Sequence, residues 1–159
     1  MTTTQSPDSF RRACSRFATG VAVATVRAAD GAPHGLTVNS FTSVSLDPPL
    51  VLVSIDHEAS VIGDFHQSSH FAINVLSEQQ QDLSTRFATK GMDRFDGLVW
   101  TPGVHGAPLI PESLAHFECS KFNTIEAGDH AIFVGLVEEM GVRDGRPLLY
   151  FASAYREIR

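Results

Sequence analysis

A polar segment at residues 35–45 is the first part of the sequence that could do chemistry. It carries six hydroxyl or amide side chains between apolar residues and ends just before an Asp-Pro-Pro break. Backbone N–H groups, together with Thr, Asn and Ser side chains, can bind a heterocyclic ring rich in donors and acceptors without any formal charge. Thr37, Val38, Asn39 and Ser40 are therefore candidate ligand contacts. A Ser/Thr-rich strand edge and turn would show the same spacing, so both interpretations stay open.

A second candidate site begins at Ser60, where the pattern predicts a short helix over residues 60–65. Free N–H groups and the helix dipole favour a phosphate at such a position, although Ser60 could equally be a simple helix cap. Arg86, Lys90 and Arg94 follow downstream and could bring one or two cations to the same phosphate. Alternatively, Arg86 and Lys90, four residues apart, line a solvated helix face.

The turn at residues 128–130 presents His130 between a polar loop and an apolar strand. Imidazole N–H groups can bind a nicotinamide amide or a pyrophosphate. The other six histidines show no metal-ligand spacing with a carboxylate, so the sequence predicts no metal site. These six are His34, His57, His66, His70, His105 and His116.

The common cofactor and catalytic signatures are absent from the sequence. It has no glycine-rich dinucleotide fingerprint, no P-loop, no zinc-protease helix motif and no nucleophile elbow. A nucleotide cofactor would have to bind without the helix terminus of a Rossmann fold. Cys14 and Cys119 form no CxxC pair, which argues against a disulfide framework or a thiolate metal site. We expect both cysteines to be small buried hydrophobes.

The composition argues against nucleic-acid and membrane partners. The 159-residue chain has a formal net charge of −6, and its 12 Lys and Arg residues are scattered, so no basic stripe offers itself to nucleic acid. No apolar run reaches the roughly 18 residues of a membrane span, and the first residues lack the order of a signal peptide. The sequence therefore predicts a cytoplasmic protein of one domain, residues 1–159, with a flexible N terminus at residues 1–9.

Periodicity predicts the elements that would position these residues. Apolar residues at helical spacing follow a cap at residues 6–8 and predict a short helix that ends before Thr19. Ser77 with Gln80 predicts a second cap, for a helix over residues 77–88. Strands are predicted at residues 21–26, 35–38, 50–55, 71–76, 113–122, 131–140 and 148–155. Because strand follows strand at both ends, we predict a mainly β fold of about six strands, a closed or partly closed antiparallel barrel with a few short helices.

Taken together, these segments resemble the flavin reductase-like family of FMN-binding split barrels. The likeness in residue type and order runs from about residue 10 to residue 155, and the polar segment with its Pro-Pro break and the Gly-Asp-His turn are its most specific parts. It is carried by residues 10–11, 17–21, 35–50, 71–76, 94–95 and 128–130. The resemblance implies a homodimer of six-stranded antiparallel split β-barrels with Greek-key topology.

The resemblance also implies an activity. A NAD(P)H-dependent flavin reductase of this family passes a hydride from NADH, or NADPH, to free FMN or FAD and supplies reduced flavin to a separate monooxygenase. The flavin then carries the chemistry, and the protein supplies position and electrostatics. Two alternatives stay open. One is a flavoprotein that keeps FMN tightly bound and reduces ferric iron or an azo compound, and the other is a binding module that holds flavin or haem without turnover.

The resemblance assigns a role to each candidate residue by its position. Thr37, Val38, Asn39 and Ser40 would hold the isoalloxazine edge, Ser54, Ile55 and Asp56 would line the ribityl chain, and Ser60 with Lys90 or Arg94 would hold the phosphate. Phe87 would flank the rings, Tyr155 would close the pocket, and His130 would contact the nicotinamide as the one candidate catalytic residue. Asp56 and Glu58 depart from this scheme, because like charges near the phosphates would repel, and their orientation is left open.

Overall fold

The computed structural model describes residues 6–158, which form mainly antiparallel strands with a few short helices. The α-helices within these residues are α1 (Pro7–Cys14), α2 (Ile62–Gln67) and α3 (Gln81–Ala88), and a 3-10 turn at Glu78–Gln80 leads into α3. Oε1 of Gln80 accepts a hydrogen bond from the Ser77 N–H at 3.0 Å, which confirms the predicted second cap. None of these helices has both the length and the apolar composition needed to cross a membrane.

Most of the strands belong to one antiparallel sheet. Its members are β2 (Ala22–Arg27), β3 (Pro33–Val38), β4 (Thr42–Leu46), β5 (Pro49–Asp56), β6 (His70–Val75), β9 (Ala115–Ala127) and β10 (His130–Val142). Their order across the sheet is β3-β2-β6-β9-β10-β5-β4. A smaller sheet joins β1 (Thr19–Gly20) to β11 (Leu149–Phe151) and β12 (Ala154–Arg156), and β7 (Thr101–Pro102) pairs with β8 (Pro108–Leu109).

The mainly β, antiparallel architecture is confirmed, whereas the six-stranded barrel and its Greek-key order are not. The central sheet has seven strands, and no ladder joins β4 back to β3 within residues 6–158, so the sheet is not closed. Strand β4 was missed because it comes from the polar segment and most of its side chains are exposed. Val44 and Leu46 alternate with Ser43 and Ser45, but this pattern is short and both apolar side chains are exposed.

The single C-terminal strand predicted at residues 148–155 is a tight hairpin, formed by β11 and β12. Ala152 and Ser153 at its tip have φ angles of 51° and 61°. A two-residue hairpin turn favours this left-handed conformation, which Asn and Gly usually supply. The sequence has neither residue at the tip, so the turn gave no signal.

The sheet packs apolar side chains on both of its faces. Successive side chains of strand β2 point to opposite faces of the sheet. Ala22, Ala24 and Val26 therefore belong to one apolar cluster and Val23 to the other. The first cluster also contains Phe65 of α2 and Phe133 of β10, and the second contains Phe87 of α3. Helices α2 and α3 therefore dock on the sheet through one fully buried phenylalanine each.

Helix α1 begins where the cap predicted it but buries none of its residues. It ends at Cys14 rather than just before Thr19, and Phe17 beyond it is 79% exposed. The expectation that Cys14 is buried was therefore wrong, whereas Cys119 is buried, and burial, reinforced by two nearby glutamates, raises the pKa of its thiol to about 12. Of the N terminus predicted to be flexible, residues 1–5 lie outside the described residues and residues 7–9 form the first turn of α1.

A buried amide fastens the segment around β8 to the sheet. Asn74 of β6 is fully buried, and its Nδ2 donates to the carbonyl oxygens of Val23 and Pro108 at 3.2 and 3.3 Å. Its Oδ1 accepts from the Ile110 N–H at 2.9 Å. Thr25 adds a second anchor, because its hydroxyl donates to the Pro108 carbonyl at 2.6 Å. The long loop before β9 is thus held by polar contacts that a hydrophobic pattern does not show.

Candidate functional site

Strand β3 and helix α3 together separate two concave surfaces. Gly35 allows the helix to lie close, because a Cβ at this position would come within 2.9 Å of the Ala24 carbonyl oxygen and 3.2 Å of the Phe87 ring. Two residues along the same face of β3, the Thr37 hydroxyl donates to the Ser84 carbonyl of α3 at 2.6 Å. One surface opens beside residues 32–35 and the other beside residues 37–42.

The first surface, which we call the arginine cleft, is a cavity of about 420 Å³. Its lining brings Ser60 together with Arg94, two residues that the sequence analysis assigned to one phosphate. Nε of Arg94 donates to the Thr89 carbonyl at 3.0 Å and Nη1 donates to the Gly35 carbonyl at 2.7 Å. A guanidinium has five N–H groups, so these two bonds fix its plane and leave further donors for a ligand. Burial lowers the pKa of Arg94 from its ordinary value, but a guanidinium stays charged in proteins.

The acidic groups at the arginine cleft are held by other partners. Oδ1 of Asp93 accepts from the Phe95 N–H at 3.0 Å, and Asp64 lies 2.6 Å from Nδ1 of His34. Neither carboxylate forms an ion pair with Arg94 within the described part of the chain. The cleft therefore combines a positioned cation, a hydroxyl and the carboxylate of Asp93, and the first two are groups that bind anions.

The second surface, which we call the asparagine groove, consists of two adjoining cavities of about 460 and 190 Å³ that share Val38 and Asn39. Ser40 closes one side, since its Oγ donates to the Ser54 carbonyl at 2.9 Å and accepts from the Ser54 N–H at 3.0 Å. Tyr155 lies on the other side, and its hydroxyl is 2.6 Å from the Ser84 hydroxyl. With the hydroxyls of Thr37 and Ser40 bonded to the protein, the groups left for a ligand are exposed Asn39, the Thr19 hydroxyl, which has no hydrogen-bond partner among the described residues, the Thr42 hydroxyl and the backbone.

Residues Asp56 and His130 lie together at a third position, where β5 ends and β10 begins. They are cross-strand neighbours in the ladder. Nδ1 of His130 is 2.7 Å from Oδ1 of Asp129, and this hydrogen bond and the charge of His130 lower the pKa of Asp129. Oδ1 of Asp56 accepts from the Glu58 N–H at 2.8 Å, so its carboxylate folds over its own turn.

Six of the predicted contacts line neither surface: Ser54, Ile55, Asp56, Phe87, Lys90 and His130. Phe87 is 0% exposed and packs edge-on against Phe95, so it is part of the core and unavailable to flank a ligand ring. The side chain of Ile55 is also buried in the core. Lys90 is exposed and does not line the arginine cleft, whereas residues 91–95 of the same loop do. Arg94 rather than Lys90 is therefore the cation beside Ser60.

The sequence analysis missed several residues of the asparagine groove, among them Ser84 and Tyr150. Ser84 is buried on the sheet-facing side of α3, where a hydroxyl in a helix looks like an ordinary helix residue. Tyr150 comes to the groove on the hairpin of β11 and β12, which was predicted as one strand. Its ring packs against Tyr155 with the centroids 5.5 Å apart. A correct hairpin prediction would have brought both tyrosines to one side.

Comparison with known proteins identifies the family of this chain. The model of the family described as the flavin reductase like domain matches residues 14–159. The chain belongs to this family.

Two curated members of the flavin reductase-like family illustrate the similarity. The chain is 46% identical to the reductase component of a flavin-dependent trigonelline monooxygenase from Acinetobacter baylyi, over 92% of this chain and 47% of that protein. It is 48% identical to FMN reductase (NADH) SmoA of Agrobacterium fabrum, over 92% of this chain and 83% of SmoA. The chain thus spans about half the length of the first relative and most of the second.

A solved structure of the same family also resembles the chain. The NADH:FAD oxidoreductase SgcE6 of Streptomyces globisporus, solved in complex with NAD and FAD fragments, superposes with a TM-score of 0.90 at 37% identity. The match covers 96% of this chain and 92% of SgcE6.

Proposed function

We propose that this flavin reductase-like chain uses NADH to reduce FMN or FAD and releases the reduced flavin to a separate monooxygenase. The observation that carries the proposal is the arginine cleft, where Ser60 lines the same cavity as a guanidinium that has free N–H donors. The names of SmoA, an NADH-dependent FMN reductase, and of the trigonelline relative, a reductase component of a monooxygenase, support the same chemistry and partner.

The residues present fit a flavin mononucleotide group. Arg94 and Ser60 would hold a phosphate through charge-assisted and hydroxyl hydrogen bonds, and Asn39 with the backbone of residues 37–40 would hold the polar edge of the ring. Neither Asp56 nor Glu58 lines the arginine cleft, which supports this assignment. When bound, the flavin supplies the ring that accepts a hydride, and the protein binds and orients both partners.

His130 is proposed to contact the nicotinamide. Its Nδ1–H donates to Asp129 at 2.7 Å, which fixes the ring and leaves Nε2 as an acceptor for a carboxamide N–H. The imidazole orients the dinucleotide in this scheme, and no side chain needs to transfer a proton during hydride transfer itself.

The first test is NADH oxidation, followed at the nicotinamide absorbance, by purified protein with and without FMN, FAD or riboflavin. We expect turnover only when flavin is added, and the order of the three kcat/KM values names the preferred flavin. Turnover of ferric iron or an azo compound by protein that purifies yellow would replace the proposal with a flavoprotein oxidoreductase. Flavin binding without NADH consumption would indicate a binding module.

Replacing His130 with alanine is expected to raise the KM for NADH by about three- to tenfold, the value of one lost hydrogen bond. The KM for flavin should change by less than about twofold, and steady-state kinetics with each substrate varied in turn measures both. His57→Ala, on the adjacent turn, is the matched control, since His57 pairs with Glu126 at 3.1 Å. Equal increases in both KM values would remove His130 from the nicotinamide side.

A homodimer is part of the proposal. Its support is apolar surface that this chain leaves uncovered: Phe17, Leu46 and Val142 are 79%, 96% and 91% exposed. Large exposed apolar side chains of this kind mark interaction surfaces when they are contiguous. Four expectations from the sequence stay predictions: NADPH as an alternative donor, a single domain, closure into a six-stranded Greek-key barrel and a cytoplasmic location.

A further inference from the structure

Two histidines and one glutamate come together at the sheet, and none of them lines either surface of the proposed flavin site. They are His70 at the start of β6, His105 in the turn between β7 and β8, and Glu138 of β10. One nitrogen of each histidine and one oxygen of Glu138 all lie within 4.8 Å of one another. Nε2 of His105 is 2.5 Å from Glu138, and the two imidazole rings stack with their centroids 3.9 Å apart.

We propose that His70, His105 and Glu138 bind a divalent transition-metal ion of the zinc type. Two imidazoles and one carboxylate are a donor set that zinc takes in proteins, with water completing the coordination. Zinc bonds of about 2 Å place tetrahedral ligand atoms about 3.3 Å apart.

The backbone directs two of these side chains to one place. Residues 137 and 139 of β10 pair with the adjacent residues Cys119 and Glu118, so Glu138 is the extra residue of a β-bulge. Bulges redirect side chains and are common beside functional sites. The turn that carries His105 is docked on the sheet as well, since the Val104 N–H donates to the buried carboxylate of Glu118 at 2.6 Å.

The turn also needs glycine to approach so closely. A Cβ at Gly103 would overlap the Glu118 carboxylate, and Gly106 has a φ of 85°. These constraints hold His105 above His70 independently of any contact between the two rings.

The outer partner of His70 suits a metal. Nδ1 of His70 lies 2.9 Å from the Ser69 hydroxyl, which leaves Nε2 as the ligand atom. Ligating histidines almost always bond a partner through the second ring nitrogen in this way.

The bound ion would clamp the turn between β7 and β8 onto β6 and β10. This role is independent of flavin reduction, so its test does not depend on the proposed activity. No spacing along the chain indicates this site, because its three ligands come from three separate segments.

The experiment is calorimetric titration of tag-free, chelator-treated protein with ZnCl2, with Co²⁺ absorption as a second probe. We expect one ion per chain, visible Co²⁺ bands of nitrogen and oxygen ligation, and a Tm that rises with zinc concentration. His105→Gln and Glu138→Gln should each weaken binding by more than about 100-fold. Ser69→Ala should weaken it by about 10–100-fold, as changes to outer partners do. His105 and Glu138 are exposed, so the variants are expected to fold, and circular dichroism checks this.

His66→Gln is the matched control, because His66 has similar exposure and also faces a glutamate, Glu126, at 3.9 Å. It should bind zinc as the unaltered protein does. Absence of zinc binding at millimolar concentration would overturn the proposal. So would loss of binding in His66→Gln with binding retained in His105→Gln, because the ion would then lie at the other histidine cluster.

Discussion

Replacing Arg94 with alanine is expected to raise the KM for FMN by about tenfold to a hundredfold while changing the KM for riboflavin much less. A hydrogen bond to a charged group contributes about 1.5–3 kcal/mol, and each 1.4 kcal/mol is a factor of ten in affinity. Riboflavin lacks the phosphate that Arg94 is proposed to hold, so it should not lose this contribution. Steady-state NADH oxidation with each flavin varied over its KM measures the two effects.

The comparison between FMN and riboflavin also separates binding from structure. Arg94 donates to the backbone of Thr89 and Gly35, so its removal loosens the loop as well as the phosphate contact. A loosened loop would raise both KM values together, whereas loss of the phosphate contact raises only that for FMN. Equal increases for the two flavins would contradict the assignment of the phosphate to the arginine cleft.

Lys90→Ala is the matched control for Arg94→Ala. The sequence analysis could not choose between the two cations, whereas the structure leaves Lys90 exposed outside the described lining of the cleft. We therefore expect Lys90→Ala to change the KM for FMN by less than about twofold, since surface charges contribute little. A larger increase in the KM for FMN in Lys90→Ala than in Arg94→Ala would assign the phosphate contact to Lys90.

The parts of the fold that were predicted correctly are those with a strong local signal. The predicted strand at residues 50–55 is an apolar run and lies within β5. The helix cap is indicated by two residues three positions apart, Ser77 and Gln80. Strand β4 and the hairpin at Ala152 lacked such signals, because one is an exposed polar edge and the other turns without Asn or Gly. A local sequence pattern predicts elements that bury an apolar face. It misses elements whose conformation depends on contacts with neighbouring segments.

The same distinction applies to the candidate site. Ser60 and Arg94 could be assigned to one cleft because the resemblance orders residues along the chain, and the structure brings them together. Phe87 was misassigned because its type fits a ring contact, whereas its fully buried position follows from the packing of α3 on Gly35. Residue type alone cannot distinguish an aromatic that contacts a ligand from one that fills the core.

Asn74 is the residue whose replacement we expect to destabilise the protein most. Asn74→Leu keeps a side chain of similar size but leaves the Ile110 N–H without its acceptor and removes the donors to Val23 and Pro108. An unsatisfied buried donor costs about 1–3 kcal/mol, and each lost hydrogen bond about 1 kcal/mol. We expect a decrease of about 3 kcal/mol in the free energy of unfolding, or about 6–12 °C in Tm for a domain of this size, measured by denaturant and thermal unfolding.

The control for Asn74→Leu is Asn123→Leu, the same change at an exposed position of β9, for which we expect less than about 0.5 kcal/mol. Hydrogen exchange at the Ile110 amide measures the local stability of this segment. In Asn74→Leu the Ile110 N–H loses its Asn74 Oδ1 acceptor and should exchange faster with solvent. The Pro108 carbonyl keeps its bond from Thr25, so the segment should loosen around residue 110 rather than detach. A loss of stability no larger than that of Asn123→Leu, with Ile110 still protected, would show that apolar packing and Thr25 hold this segment without the amide.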